Sequence, residues 1–196
     1  MTTTLPQRIG LFGGSFDPVH LGHLLVAQAA REELSLDRLF FIPAAQSPFK
    51  PERKPTPAAQ RLRLLRLALA GKVWCELDQQ EIRRGGISYT VDTVRDYARR
   101  FPQAELFYLI GADHLPQLPK WREAEELAQL VQFVVTPRPG EAKPSLPPPF
   151  RGRALTGFPL GVSSSQVRAR VQAGQEIETL VAPAVAEAIH NNGLYL

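Results

Sequence analysis

A chain of 196 residues with 44% hydrophobic residues can bury a full core, and one compact domain is expected. The net charge of +4 and sequence pI near 9.5 suit an acidic ligand such as a phosphorylated small molecule but are too mild to require nucleic acid, while a lone cysteine, Cys75, excludes an internal disulfide and a cysteine-rich metal site. No stretch approaches the roughly 20 apolar residues of a membrane span and the N-terminus lacks a signal-peptide run, so a cytoplasmic protein with no membrane partner is expected.

The first strand is predicted at RIGLFG, residues 8–13, and the segment behind it carries the sharpest chemistry. Gly13 and Gly14 lack side chains, which lets a backbone approach a phosphate closely and permits positive φ. Ser15 adds a hydroxyl, and Asp17 with Pro18 reads as a turn or helix start. His20 and His23 are three residues apart and share one face of the first turn of a helix, HLLVAQAAREEL at 23–34, whose dipole favours an anion there. Two imidazoles donating to phosphate oxygens would stabilise the charge that builds up when a nucleophile attacks phosphorus, with no proton to abstract from an ionised acceptor. Taken singly, the glycines could form an ordinary tight turn and the histidines could cap the helix. No G-x-x-x-x-G-K-[ST] is present and GLFGG departs from G-x-G-x-x-G, which disfavours P-loop and hydride-transfer enzymes. The histidine pair has no acidic or cysteine partner in a ligand pattern, so no protein-held metal is expected.

A second strand, RLFFIP at 38–43, leads into a proline-rich connection at 44–57, read as a ligand-covering lid. Then follow a helix at 58–70, a strand at 72–77 that makes Cys75 a core residue rather than a nucleophile, a helix at 90–101, and the strand ELFYLIG at 105–111. A helix at 122–130 and a strand at 131–136 precede a second proline-rich connection at 137–152, also read as a lid. A weaker strand near 153–158 and helices at 166–174 and 183–192 complete the chain. Alternation of apolar runs and helical periods predicts an α/β fold with a doubly wound parallel sheet, its ligand beyond the carboxyl ends of the strands. In GVSSSQVRAR, Ser163, Ser164 and Ser165 stand at a predicted helix start that also carries Arg168 and Arg170; this is a ready anion site, or simply a capped helix with solvated arginines.

HLGH at 20–23 and SSSQVR at 163–168 resemble the H-x-G-H nucleotidyltransferases, which implies a Rossmann-like fold. Within that group GGSFDPVHLGH, ISYTVDT, GADHL, PKW, RPG, VSSSQVR and IHNNGLYL, in that order, resemble bacterial nicotinate mononucleotide adenylyltransferases. The resemblance implies transfer of an adenylyl group from ATP to nicotinate mononucleotide, with Mg²⁺ carried on the triphosphate. It implies that His20 and His23 contact the ATP phosphates and stabilise the transition state, that Gly13, Gly14 and Ser15 surround the reacting phosphates, and that Ser164, Ser165 and Arg168 hold the triphosphate. Gly111 and Asp113 would meet the ribose and adenine, Trp121 would stack on the pyridine ring, and Thr90 would receive the nicotinate carboxylate through its backbone N–H. Lys50 and Arg138 would reach substrate phosphates. Two residues depart from the family pattern: Phe49 replaces a frequent histidine before Lys50, and Arg122 follows Trp121 where an aromatic is common. Of the basic cluster Lys50, Arg53, Lys54, Arg61, Arg63 and Arg66, only Lys50 is expected at the site, with the others solvated. Rival readings are an adenylyltransferase for phosphopantetheine or for the pyridine amide, and a noncatalytic nucleotide sensor. A homo-oligomer is left open.

Overall fold

The computed structural model describes residues 7–49, 52, 54–136, 145–158 and 160–196. Six strands, β1 (Arg8–Gly14), β2 (Arg38–Pro43), β3 (Cys75–Leu77), β4 (Glu105–Gly111), β5 (Gln132–Thr136) and β6 (Gly152–Ala154), form one sheet in the order β3-β2-β1-β4-β5-β6, and every adjacent pair is parallel. The order runs outward in both directions from the β1–β4 junction, so a crevice opens beyond the carboxyl ends of those two strands. Gly13–Gly14 and Gly111 lie at that junction, at the ends of β1 and β4.

The strands read as nearly continuous apolar runs because both faces of the sheet are covered. Phe41, Phe107, Leu109 and Val134 pack into one buried layer, and their neighbours Phe40, Ile42, Tyr108, Ile110 and Val135 into the other, in the alternation that a pleated strand imposes. The first layer receives α1 (Leu21–Leu34), α2 (Ala58–Leu69), α6 (Ser164–Gln172) and α7 (Pro183–Asn191); the second receives α4 (Thr90–Arg100) and α5 (Ala124–Leu130). Among the described residues no helix is long and apolar enough to cross a membrane.

Several boundaries differ from expectation. β3 begins at Cys75 rather than Lys72, because Cys75 N–H donates to Lys72 O in a turn that leaves Val73 95% exposed. Cys75 is half-buried and its thiol is pushed up to about 12 by burial, as an inert packing residue should be. β6 is only Gly152–Ala154 and ends before most of the segment expected to form it. Two elements were not anticipated: a five-residue helix α3 (Gln80–Arg84), and a 3-10 segment, Ala112–Lys120, that contains Pro116 and Pro119. Residues 137–144 of the second proline-rich connection lie outside the described residues; Phe150 beyond them is buried, with its ring edge-on to Phe133 at 5.4 Å.

Candidate active site

A cleft of about 740 Å³ opens at the β1–β4 junction. Gly13, Gly14, Ser15, His20, His23, Thr90, Gly111, Asp113, Trp121, Ser164, Ser165 and Arg168 all line it, so every expected site residue within the described part converges there. Lys50 and Arg138 lie outside the described residues. A second, more open hollow of about 570 Å³ contains none of them, and its charges already pair within the protein, with Arg100 at 2.7 Å and Arg83 at 3.6 Å from Asp78.

Glycine is required at position 13 by proximity: a Cβ there would lie 2.2 Å from the Tyr108 hydroxyl on the neighbouring strand. At position 111 a Cβ would meet the Asp113 carboxylate at 2.4 Å, a contact that the exposed Asp113 side chain could relieve by turning away. Positive φ is not what Gly13 and Gly14 supply, contrary to expectation; Phe16, at φ 46°, makes the left-handed turn instead. Its ring is buried against Phe12 and Phe41, and this packing holds a conformation that bulky residues rarely adopt.

Beyond this turn His20 is the N-cap of α1, just outside the helix, and His23 is its third residue. The two rings stack at 3.7 Å, and the His20 backbone N–H donates to His23 Nδ1 at 3.2 Å. A neutral His23 accepting at Nδ1 must carry its proton on Nε2, which makes that atom a donor. Burial pulls the His20 pKa down to about 4; burial, and secondarily the neighbouring His20, hold His23 well below its ordinary value. Both imidazoles are therefore neutral near pH 7. His20 Nδ1 is buried with no hydrogen-bond partner among the described residues, a cost that a polar ligand group would relieve.

The distal motif is joined directly to this turn. Ser163, rather than Ser164 or Ser165, caps α6 by accepting from Gln166 N–H at 3.2 Å. Ser164 Oγ donates to Pro18 O at 2.8 Å, Arg168 Nη1 to Asp17 O at 2.6 Å, and Arg168 Nη2 to Ser165 Oγ at 2.9 Å. Arg170, by contrast, turns away and donates to Glu176 O. From the opposite end of the chain Tyr195 donates its hydroxyl to Asp17 Oδ1 at 3.0 Å.

The other end of the cleft is aromatic. Trp121 closes the 3-10 segment, and its ring lies 5.4 Å from Phe49, 5.9 Å from His114 and 6.4 Å from Tyr108. Its Nε1 is buried without a partner among the described residues. Thr90 is the first residue of α4, so its backbone N–H belongs to the unpaired first turn, and its hydroxyl reaches Tyr108 OH at 3.4 Å. Ser88 ties this end to the first connection, accepting from Ala45 N–H with its hydroxyl and donating its own N–H to Gln46 O, both at 2.9 Å.

Sequence reasoning did not place Phe49, Ser88, Tyr108 or His114 in the cleft, and it missed the supports Asp17 and Tyr195. His114 stood in GADHL and Tyr195 in IHNNGLYL, both matched segments, so that signal existed. Arg61 is a correction: expected on a solvated face, it is 1% exposed. Its spacing carried the warning, because Arg61, Leu64, Leu65 and Ala68 fall on one helical face and all four are buried.

A doubly wound parallel sheet with a neutral histidine pair at its switch point, faced by a serine-capped helix bearing an arginine, defines a nucleotidyltransferase-type domain. The cytidylyltransferase-like family matches residues 11–170. Proteins named as probable nicotinate-nucleotide adenylyltransferases are 40% identical in Dehalococcoides mccartyi and 41% in Opitutus terrae; each match covers 96% of this chain, and 97% and 98% of the respective relative. A relative of the same name in Gemmatimonas aurantiaca is 43% identical over 96% of this chain and 92% of its own length. The solved Plasmodium falciparum nicotinic acid mononucleotide adenylyltransferase complexed with NaAD shares the fold, with a TM-score of 0.80 at 18% identity over 96% of this chain and 97% of that one. The chain belongs to the cytidylyltransferase-like family and, within it, to the nicotinate-nucleotide adenylyltransferases.

Proposed function

We propose that the protein joins ATP and nicotinate mononucleotide to give deamido-NAD and pyrophosphate, as part of NAD biosynthesis. The observation that carries this reading is the convergence, in one cleft, of a neutral histidine pair and the Ser164–Ser165–Arg168 helix start. An oxygen of the mononucleotide phosphate attacks the α-phosphorus of ATP in line; the new O–P bond forms as the bond to the β-phosphate oxygen breaks and pyrophosphate leaves. The acceptor arrives ionised, so the site needs donors rather than a base.

His20 and His23 supply neutral N–H donors to the α-phosphate as its charge grows, beside the turn Gly13–Ser15. Ser164, Ser165 and Arg168, with the N-terminus of α6, hold the leaving phosphates. Gly111 and Asp113 face the ribose and adenine. Trp121 stacks on the pyridine ring, and the Thr90 N–H receives the nicotinate carboxylate at the N-terminus of α4. Lys50 and Arg138 are retained as phosphate partners, although both lie outside the described residues. The divalent cation generally used by this family is proposed to be Mg²⁺, which would be carried on the triphosphate and would neutralise charge on the leaving group. The cytoplasm, where ATP is made and used, is the proposed location.

The deciding experiment measures pyrophosphate release from ATP and Mg²⁺ with nicotinate mononucleotide, nicotinamide mononucleotide and phosphopantetheine offered separately. Release with nicotinate mononucleotide in strong preference to the others is expected. A preference for another acceptor would keep the chemistry and replace the substrate; silence with all three, in folded protein that binds ATP, would overturn the reading.

A further inference from the structure

Among the described residues Arg61 is the largest fully buried side chain, and it makes no ion pair with any of them. It stands at the fourth position of α2, near the positive end of the helix dipole, where a cation is unfavourable. Burial pulls the guanidinium below its ordinary range, and the more distant Asp17 carboxylate pushes the other way. A buried charge in this setting is costly, and Leu64 and Leu65 on the same helical face show that an apolar side chain would suit the packing.

What an apolar residue could not do is bind three separate stretches of backbone. Arg61 Nη1 donates to Ser15 O at 2.8 Å and Ala44 O at 2.9 Å, and Nε donates to Thr56 O at 2.9 Å. Ser15 belongs to the phosphate-facing turn; Ala44 and Thr56 are the two stems of the connection that carries Phe49 into the cleft. Two further bonds run the same way, from Ala44 N–H to Gly14 O at 2.9 Å and from Thr56 N–H to Asp17 Oδ2 at 3.4 Å. Arg61 does not itself line the cleft.

We propose that Arg61 is a positioning residue for adenylyl transfer: one buried guanidinium fixes Ser15, Ala44 and Thr56 as a unit, so that the phosphate-facing turn and both stems of the covering connection keep the geometry that in-line attack needs. The proposal rests on the reaction given above. Lysine cannot replace this fork, because a single ammonium head on a flexible stem does not span three carbonyls held in fixed directions.

Arg61→Lys and Arg61→Met in the full chain test it, with kcat normalised to folded protein and KM determined for each substrate. Expected is a fall in kcat of about tenfold to a hundredfold, larger for methionine than for lysine, with a much smaller rise in either KM. A residue that only stabilises the fold would lower the melting temperature and leave kcat per folded molecule unchanged; folded variants within about twofold of the parent kcat would overturn the proposal. If neither variant folds, the parent protein decides. On addition of α,β-methylene-ATP, amide exchange at Ser15, Ala44 and Thr56 should slow by a common factor, whereas slowing at Ser15 alone would overturn the unit. This exchange measurement does not depend on the acceptor, so a parent protein inactive with nicotinate mononucleotide would remove the assigned reaction without deciding the role of Arg61.

Discussion

The two ends of the cleft are built on different principles. The end proposed to hold the phosphates is made of short-range pieces: a strand end, a turn and a helix start within residues 13–23, locked to α6 by hydrogen bonds from Ser164 and Arg168 onto the carbonyls of Pro18 and Asp17. The end proposed to take the acceptor has no such nucleus. Its aromatic wall takes Phe49 from the first connection, Tyr108 from β4, His114 from the 3-10 segment and Trp121 from the residue that closes it, and its rings meet at 5.1–6.4 Å. Phosphate recognition requires fixed donors at fixed spacing, which two short continuous stretches supply once hydrogen bonds lock them together; a flat ring requires only apolar faces, which any converging segments can supply.

This contrast leads to graded expectations. The sharpest effect should come from His20→Ala, proposed to remove a transition-state donor: kcat should fall about a hundredfold to a thousandfold while ATP affinity changes little, and unchanged turnover would break the assignment of chemistry to the phosphate end. The buried histidines should also make this end pH-sensitive in stability. Because the folded pKa of His20 is about 4 against an ordinary 6.5, the unfolded chain binds more protons between those values, so stability is fully present above pH 6.5 and is lost as the pH falls toward 4. The His20 contribution is roughly 3 kcal/mol, and His23 acts in the same direction. Denaturant unfolding of the parent and His20→Gln at pH 7 and pH 5 would show it, as a steeper acid loss in the parent.

Arg168→Lys keeps the charge but loses the fork between Asp17 O and Ser165 Oγ, and should raise KM for ATP about tenfold to thirtyfold while KM for the acceptor moves far less. At the opposite end Trp121→Ala should raise KM for nicotinate mononucleotide by about tenfold or less and leave ATP binding intact. If steady-state kinetics instead showed Trp121→Ala disturbing ATP as strongly as the acceptor, the two ends would not be separable.

The same division governed what could be read before folding. The segment from Gly13 to His23 was legible because its chemistry is adjacent in the chain, and the parallel sheet was legible because strands covered on both faces are apolar at successive positions. Five-residue α3 is too short to show a helical period, and Pro116 and Pro119 disguised the 3-10 segment as loop. Arg61 was misjudged because charge usually marks a solvated face; its burial depends on carbonyls 5, 17 and 46 residues away along the chain.

The sequence by itself determined the alternation of strands and helices, the glycine and histidine turn and the serine–arginine helix start, since each is carried by residue types at short, fixed spacing, and its ordered motifs carried the resemblance to the family. Only the tertiary structure decided that Ser163 rather than its neighbours caps α6, that Phe16 rather than a glycine makes the left-handed turn, and that Phe49 and His114 complete the aromatic wall. It also decided that Arg61 binds three segments together from beneath the site. These outcomes depend on burial and on contacts between distant residues, which exist only once the sheet has brought its strand ends to one crevice.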